Sequence, residues 1–125
     1  MRMEGKIGLV TAAGSGMGRA GAIRFAKEGA SVGVVDIDAD AVAAVVAEIE
    51  AAGGKALGIT ADLSKDEDSR RIVRNTVNHF YGLDFVWNHV GHPGPAAVED
   101  LDMKDWDQAV DLNLRTVFIT TETAL

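Results

Sequence analysis

The chain has 125 residues, 47% of them hydrophobic and 25% charged, which suits one globular domain. Its net charge of −7 and its scattered Lys and Arg residues argue against a nucleic-acid partner, because binding to phosphate backbones needs clustered basic side chains. The lack of Cys excludes disulfides and thiolate metal sites. No apolar stretch approaches the roughly 20 residues that span a bilayer. We therefore expect a soluble, cytoplasmic protein without a membrane partner.

The first half of the chain alternates apolar strands with helices. Residues 7–11 predict a buried strand, and residues 17–28 predict a helix that ends before Gly29. Residues 31–35 predict a second strand. Asp38 is then placed to cap a helix with apolar residues at i, i+3, i+4 and i+7, namely Val42, Val45, Val46 and Ile49.

The same alternation continues after Gly54. Residues 55–60 predict a third strand, and Ser64 is placed to cap a helix over residues 65–80. The inner face of that helix is predicted to carry Val73, Val77 and Phe80.

A fourth strand and a last helix complete the pattern. The strand is predicted at residues 85–88, and a loop at residues 89–95 follows it, because both prolines lie there. The helix is predicted from Met103 to Leu125. Its apolar stripe, which we expect to be buried, contains Trp106, Val110, Asn113 and Val117.

The order βαβαβαβα predicts a Rossmann-type α/β fold, a doubly wound parallel sheet with helices on both faces. In such sheets ligands bind beyond the carboxyl ends of the strands. The loop after the first strand contains Gly16, Gly18 and Gly21 in the spacing G-x-G-x-x-G. This spacing lets the backbone approach a pyrophosphate at a helix N-terminus. A tight turn without a ligand is the alternative for the loop alone.

Asp36 ends the second predicted strand, 20 residues after Gly16. A carboxylate at that spacing is placed to accept hydrogen bonds from the hydroxyls of an adenosine ribose and to repel a 2′-phosphate. With no Lys or Arg at Ser15 or Ile37, the pattern predicts NAD, and NADP is the less favoured cofactor. A turn or helix-capping acid is the alternative for Asp36.

Several motifs in order resemble the short-chain dehydrogenase/reductase family. Residues 11–18 resemble T-G-x-x-x-G-x-G, with Ala12 in place of the first glycine, a change that adds one methyl group. Asp62-Leu63 resembles the Asp-hydrophobic pair that meets the adenine, and Asn88-His89-Val90-Gly91 resembles N-N-A-G except at its two central residues. The resemblance implies these cofactor-binding residues: Ala12, Gly14, Ser15, Gly16, Met17, Gly18, Asp36, Ile37, Asp62, Leu63, Asn88, His89, Val90 and Gly91.

The same resemblance places Asn113, within Asp111-Leu112-Asn113-Leu114, at the family's catalytic Asn, which holds a water and a Lys in a proton relay. A structural Asn bonded to backbone groups is the alternative. The family's catalytic Ser and Tyr-x-x-x-Lys are not found, because Tyr81 has Phe85 where the Lys would stand. We therefore expect residues 1–125 to be an incomplete NAD(P)-binding domain, truncated after the fourth strand and its helix, and inactive by itself.

The full-length parent is expected to transfer hydride between the cofactor and a small alcohol or ketone, and to form homo-oligomers. A non-catalytic dinucleotide-binding or interaction module complete at 125 residues is the main alternative, and a methyltransferase is a weaker one. No metal site is predicted, because His89 and His92 have no third His or Cys near them.

Overall fold

The computed structural model describes residues 1–94 and 97–125, and its elements follow the predicted order. The four strands are β1 (Ile7–Val10), β2 (Ser31–Asp36), β3 (Lys55–Thr60) and β4 (Phe85–Trp87). The helices are α1 (Gly16–Lys27), α2 (Ala39–Ala51), α3 (Asp66–Phe80), α4 (Met103–Val110) and α5 (Thr116–Ala124), with a π-helical segment (Asp111–Arg115) joining the last two.

All strand pairs are parallel, and the sheet order is β3-β2-β1-β4. One face carries α1 and α2 over a core of Val10, Val32, Val34, Val45 and Ile49. The other face carries α3 over Leu9, Val35, Ile59 and Ile72, and α5 packs against α3. Helices cover both faces of the sheet, which is why the interior residues of the central strands are apolar. The doubly wound Rossmann-type fold is thus confirmed.

The helix α2 begins as predicted, since the Asp38 side chain accepts hydrogen bonds from the backbone N–H groups of Asp40 and Ala41. The helix α3 lies where it was predicted, but its predicted Ser64 cap was wrong. Lys65 occupies the N-cap, and the Ser64 hydroxyl bonds the Asp62 carboxylate instead.

The inner face of α3 also differs from the prediction. Val77 is 38% exposed and Phe80 is only partly buried. The buried face of α3 is centred on Ser69, Ile72, Val73 and Thr76, because the helix packs against α5 as well as against the sheet.

The predicted buried stripe of the last helix was also wrong. Trp106 is 53% exposed and Asn113 is exposed, whereas the buried residues are Thr116, Ile119 and Thr120. A π-helical segment takes an extra residue per turn, so the 3.6-residue spacing counted through residues 111–115 loses its phase there.

The backbone after β4 is irregular over residues 88–94, so the predicted loop begins at Asn88, one residue earlier than expected. The predicted end of this loop, Pro95, lies outside the described residues. Within the described ranges, no helix has the length and apolar character needed to cross a membrane.

Candidate functional site

The glycine turn between β1 and α1 lies at the carboxyl edge of the sheet, where its glycines allow close packing. A Cβ on Gly18 would lie 2.0 Å from the carbonyl oxygen of Ala12, so a side chain there cannot be accommodated without moving the backbone. Gly21 is equally restricted, by Trp87 at 2.0 Å. A Cβ on Gly16, by contrast, would have no atom within 4 Å. The turn is thus tightly packed beneath α1 and open above Gly16.

The N-terminus of α1 has no side-chain cap. Ser15 occupies the N-cap position, but its side chain makes no capping hydrogen bond, and no acidic residue lies in the first turn. The neighbouring α2 is capped by Asp38. Because the first backbone N–H groups of a helix lack partners within the helix, α1 presents hydrogen-bond donors and the positive end of its dipole to the open space above the turn.

Ala12 adopts a left-handed backbone conformation, with φ of 51°. Such a conformation costs an L-residue about 1–2 kcal/mol and is the conformation for which glycine is favoured. The expectation that Ala12 differs from glycine by one methyl group alone is therefore incomplete, because the substitution also introduces backbone strain.

Asp36 connects the end of β2 to the glycine turn. Its Oδ2 accepts a hydrogen bond from the backbone N of Gly14 at 2.9 Å, and its Oδ1 accepts one from the backbone N of Asp38 at 3.1 Å. Each carboxylate oxygen has a second lone pair. The side chain of the following residue, Ile37, is 68% exposed. Asp36 therefore has a structural role in the turn and keeps acceptor capacity for a ligand.

Asp62 lies beyond β3, and Leu63 beside it is buried. The Asp62 Oδ1 accepts hydrogen bonds from the hydroxyl of Ser64 at 2.6 Å and from its backbone N at 3.1 Å. The Ser64 hydroxyl is the main cause of a lowered pKa of Asp62. Partial burial opposes the shift, and the Ser64 backbone N–H and the charge of Lys65 add to it. The Asp62 carboxylate is thus held in its charged form.

The backbone beyond β4 is held by the hydroxyl of Thr11. This oxygen accepts hydrogen bonds from the backbone N of His89 at 2.9 Å and of Val90 at 3.0 Å, and Thr11 is fully buried. In the sequence, Thr11 is only the first residue of a motif, and no role is predicted for its side chain. Its position at the end of a buried strand could have indicated a hydrogen-bonding role, because a buried hydroxyl needs a partner.

The Asn88 side chain points toward α5, where its Nδ2 donates to Thr121 Oγ1 at 3.2 Å. Its Oδ1 is buried and has no partner among the residues described. The Asn88 side chain therefore contacts the last helix.

The side chain of Asn113 joins the π-helical segment to this loop. Its Nδ2 donates to the backbone oxygen of His92 at 2.7 Å, and its Oδ1 accepts from the backbone N of His92 at 2.9 Å. A Cβ on Gly91 would lie 2.7 Å from that Oδ1. Asn113 is exposed rather than buried, but its amide is satisfied by backbone groups.

Two contacts between α3 and the last helix were not predicted. Arg115 donates two hydrogen bonds to the Asp66 carboxylate, at 2.7 and 2.6 Å, and lowers the pKa of Asp66. Nearby, the buried hydroxyls of Ser69 and Thr116 lie 2.9 Å apart. These pairs anchor the segment that carries Asn113, and no local sequence pattern indicates them.

Other polar features lie away from this edge. Tyr81 is 92% exposed and precedes β4, at the opposite edge of the sheet. A cavity of about 760 Å³ also lies at that opposite edge, between the ends of α1 and α2. Among the residues that the structure describes, no cluster of three or more His, Asp or Glu side chains is arranged to hold a metal ion.

Comparison with known proteins gives a single family. The family described as short chain dehydrogenase matches residues 6–125. A (2S)-[(R)-hydroxy(phenyl)methyl]succinyl-CoA dehydrogenase subunit from Thauera aromatica is 35% identical over 122 residues, which are 98% of this chain and 49% of that protein. The chain spans about half the length of the curated relatives it matches.

Solved structures agree in fold. A 7α-hydroxysteroid dehydrogenase in complex with NADH and 7-oxo glycochenodeoxycholic acid superposes with a TM-score of 0.94, at 34% identity, over 98% of this chain and 48% of that one. A short-chain dehydrogenase from Burkholderia cenocepacia in complex with NADP superposes with a TM-score of 0.95, at 35% identity, over 99% of this chain and 51% of the other.

Proposed function

The chain belongs to the short-chain dehydrogenase family, and on this premise we propose that it forms the dinucleotide-binding part of a nicotinamide-dependent oxidoreductase. The parent protein would interconvert an alcohol and a ketone. Relatives that support this proposal include a cyclohexanol dehydrogenase and the steroid dehydrogenase described above.

The uncapped N-terminus of α1 is the observation that carries the proposal. Its backbone donors face open space above Gly16, and no side chain of the turn satisfies them. A pyrophosphate fits donors of this kind, because it brings negative charge and several acceptor oxygens to the positive end of the helix dipole.

Residues at the other strand ends would hold the remaining parts of the dinucleotide. Asp36 would accept hydrogen bonds from the adenosine ribose, and Asp62 with Leu63 would line the adenine site. The backbone of residues 88–91, held by Thr11, would lie beside the nicotinamide ribose. When bound, the nicotinamide accepts a hydride from the alcohol carbon or donates one to the ketone carbon.

We propose NAD(H) rather than NADP(H) as the cofactor. The charged Asp36 side chain lies at the end of β2, and the uncharged Ile37 follows it. The relatives include structures with NADH and with NADP, so this choice rests on the side chains of this chain. A 2′-phosphate placed beside Asp36 would meet like charge without a basic partner at Ser15 or Ile37.

Asn113 is the residue of this chain that we propose for the catalytic centre. Its tether to the His92 backbone fixes the π-helical segment beside the loop that follows β4. In this position it would hold a water and a Lys of the parent protein in a proton relay. The Ser and the Tyr-x-x-x-Lys that complete the family's centre have no counterparts within these 125 residues.

We also propose that the parent protein is a cytoplasmic homo-oligomer. Support comes from two large apolar side chains of the last helices that remain exposed, 53% for Trp106 and 69% for Phe118. Large exposed apolar patches mark protein–protein interaction sites. Sedimentation of the full protein with and without Phe118→Glu tests this.

The function is tested by titrating the full protein with NADH and NADPH and then assaying secondary alcohols and their ketones. Binding of NADH together with cofactor-dependent turnover would support an oxidoreductase. Binding without turnover of any alcohol or ketone would favour a non-catalytic dinucleotide-binding module. Failure to bind either cofactor would contradict the proposal.

A further inference from the structure

An aromatic column lies beneath α1 and ends at the glycine turn. Phe85 and Trp87 of β4 contact Phe25 of α1, with ring centroids 4.9 and 6.1 Å apart. The ring of His89 then lies 4.8 Å from the ring of Trp87. The column runs along β4 through alternate residues, so it places the imidazole of His89 at the carboxyl edge of the sheet.

The position of the His89 ring is set from several sides. Its backbone N–H donates to Thr11 Oγ1, and its ring packs against Trp87 in a tilted arrangement, with an interplanar angle of 41°. A Cβ on Gly18 would lie 2.9 Å from Cδ2 of His89, so the ring packs directly against the first turn of α1. The imidazole is therefore held next to the helix N-terminus that we assign to the pyrophosphate.

The ring nitrogens of His89 are available to a ligand. Among the described residues, neither ring nitrogen of His89 has a hydrogen-bond partner. The residue is only half-buried, and neither nitrogen is a fully buried polar atom without a partner. Arg19, the basic residue of the turn, is engaged by Glu48 on α2. An imidazole with an N–H beside the turn is thus a side-chain donor that this chain offers to an anion.

We propose that the His89 imidazole donates a hydrogen bond to a phosphate oxygen of the cofactor's pyrophosphate, which makes its side chain a cofactor-binding group in addition to its backbone. This inference rests on the proposed function. It extends that function by assigning the pyrophosphate a side-chain contact that the backbone donors of α1 do not supply.

The test compares His89→Phe and His89→Gln in the full protein, with calorimetric titration of NADH, ADP and adenosine. Phe keeps an aromatic ring on Trp87 but has no donor, so we expect it to weaken NADH and ADP about tenfold, the loss typical of one hydrogen bond to a charged group. Adenosine has no phosphate, and its affinity should not change. Gln retains an N–H donor and should keep NADH affinity within about threefold of the wild type.

Matched controls separate binding from packing. His79→Phe, on the exposed face of α3, should leave all three affinities unchanged. The melting temperature of the full protein reports on the packing of the column, and His89→Phe should leave it unaltered.

Several results would overturn the inference. If the wild type binds NADH and His89→Phe binds it equally well, the side chain makes no contact, while the proposed function stands. Equal weakening of adenosine binding, or a lowered melting temperature, would show a packing role instead. Weakening of NADH alone would place the contact on the nicotinamide side. If the wild type binds neither NADH nor NADPH, the proposed function and this inference both fail.

Discussion

The backbone N–H of Gly14 donates to Oδ2 of Asp36 over 2.9 Å, and this bond ties the glycine turn to the end of β2. One carboxylate therefore shapes the turn and, in the proposed function, selects the cofactor. A substitution that removes only the charge of Asp36 and one that also removes its acceptor oxygens therefore test different roles of this side chain.

Asp36→Asn should reduce the preference for NAD(H) over NADP(H). The amide oxygen can still accept from Gly14, but the charge that opposes a 2′-phosphate is lost, so we expect the ratio of the two affinities to fall by about tenfold or more. Asp36→Ala should narrow the preference too and should also destabilise the turn. Titration of both cofactors measures the ratio, and Asp40→Asn on the exposed start of α2 is the control. Equal or tighter NADPH binding by the wild type would contradict the assignment.

Ala12→Gly should stabilise the protein. The φ of 51° is strained for Ala and accessible to Gly. Glycine also increases the conformational entropy of the unfolded chain, but the free energy gained by relieving the strain is larger. The free energy of unfolding should therefore rise by about 0.5–1 kcal/mol. Denaturant unfolding measures the change. Ala20→Gly, at an exposed position within α1, should have the opposite sign and cost about 1 kcal/mol. Loss of stability in both variants would rule out strain at Ala12.

Thr11→Val should destabilise the segment that follows β4. Val90 would lose the acceptor of its backbone N–H, whereas His89 would keep its contact with Trp87 O at 3.0 Å. Leaving one donor unsatisfied should cost about 1–3 kcal/mol. Hydrogen exchange at Val90 should accelerate, and denaturant unfolding should give the free energy. Thr60→Val at an exposed position of β3 should change stability by less than about 0.5 kcal/mol.

Ser64→Ala should raise the pKa of Asp62 toward its ordinary value of 3.8, because the Ser64 hydroxyl is the main cause of its lowering. A carboxyl whose pKa is lower in the folded state stabilises the fold above its unfolded pKa, and that stabilisation is lost as the pH falls through the folded value. The wild type should thus exceed Ser64→Ala in stability at neutral pH, and the difference should shrink below pH 3.8. Carboxyl NMR titration measures the pKa. Lys65→Ala should shift it less, since the charge of Lys65 is the smallest cause, and a larger shift in Lys65→Ala would contradict this ranking.

Sequence patterns were enough to predict the succession of strands and helices along the chain, the parallel doubly wound fold and the position of the glycine turn. These features follow from local patterns. Apolar runs mark buried strands, helical spacing marks α2, and Asp38 caps that helix as its position predicts. The family motifs added the residues at the strand ends, but not what their side chains contact.

Tertiary structure alone decided how the site is held. Thr11 and His89 are 78 residues apart in sequence, and Asp66 and Arg115 are 49 apart, so no local period can reveal that they bond. The direction of Asn113 depends on the π-helical segment, whose extra residue per turn breaks the stripe read at 3.6 residues. Periodicity reports which face of one helix is apolar, whereas the partner of a polar group depends on where the other elements pack.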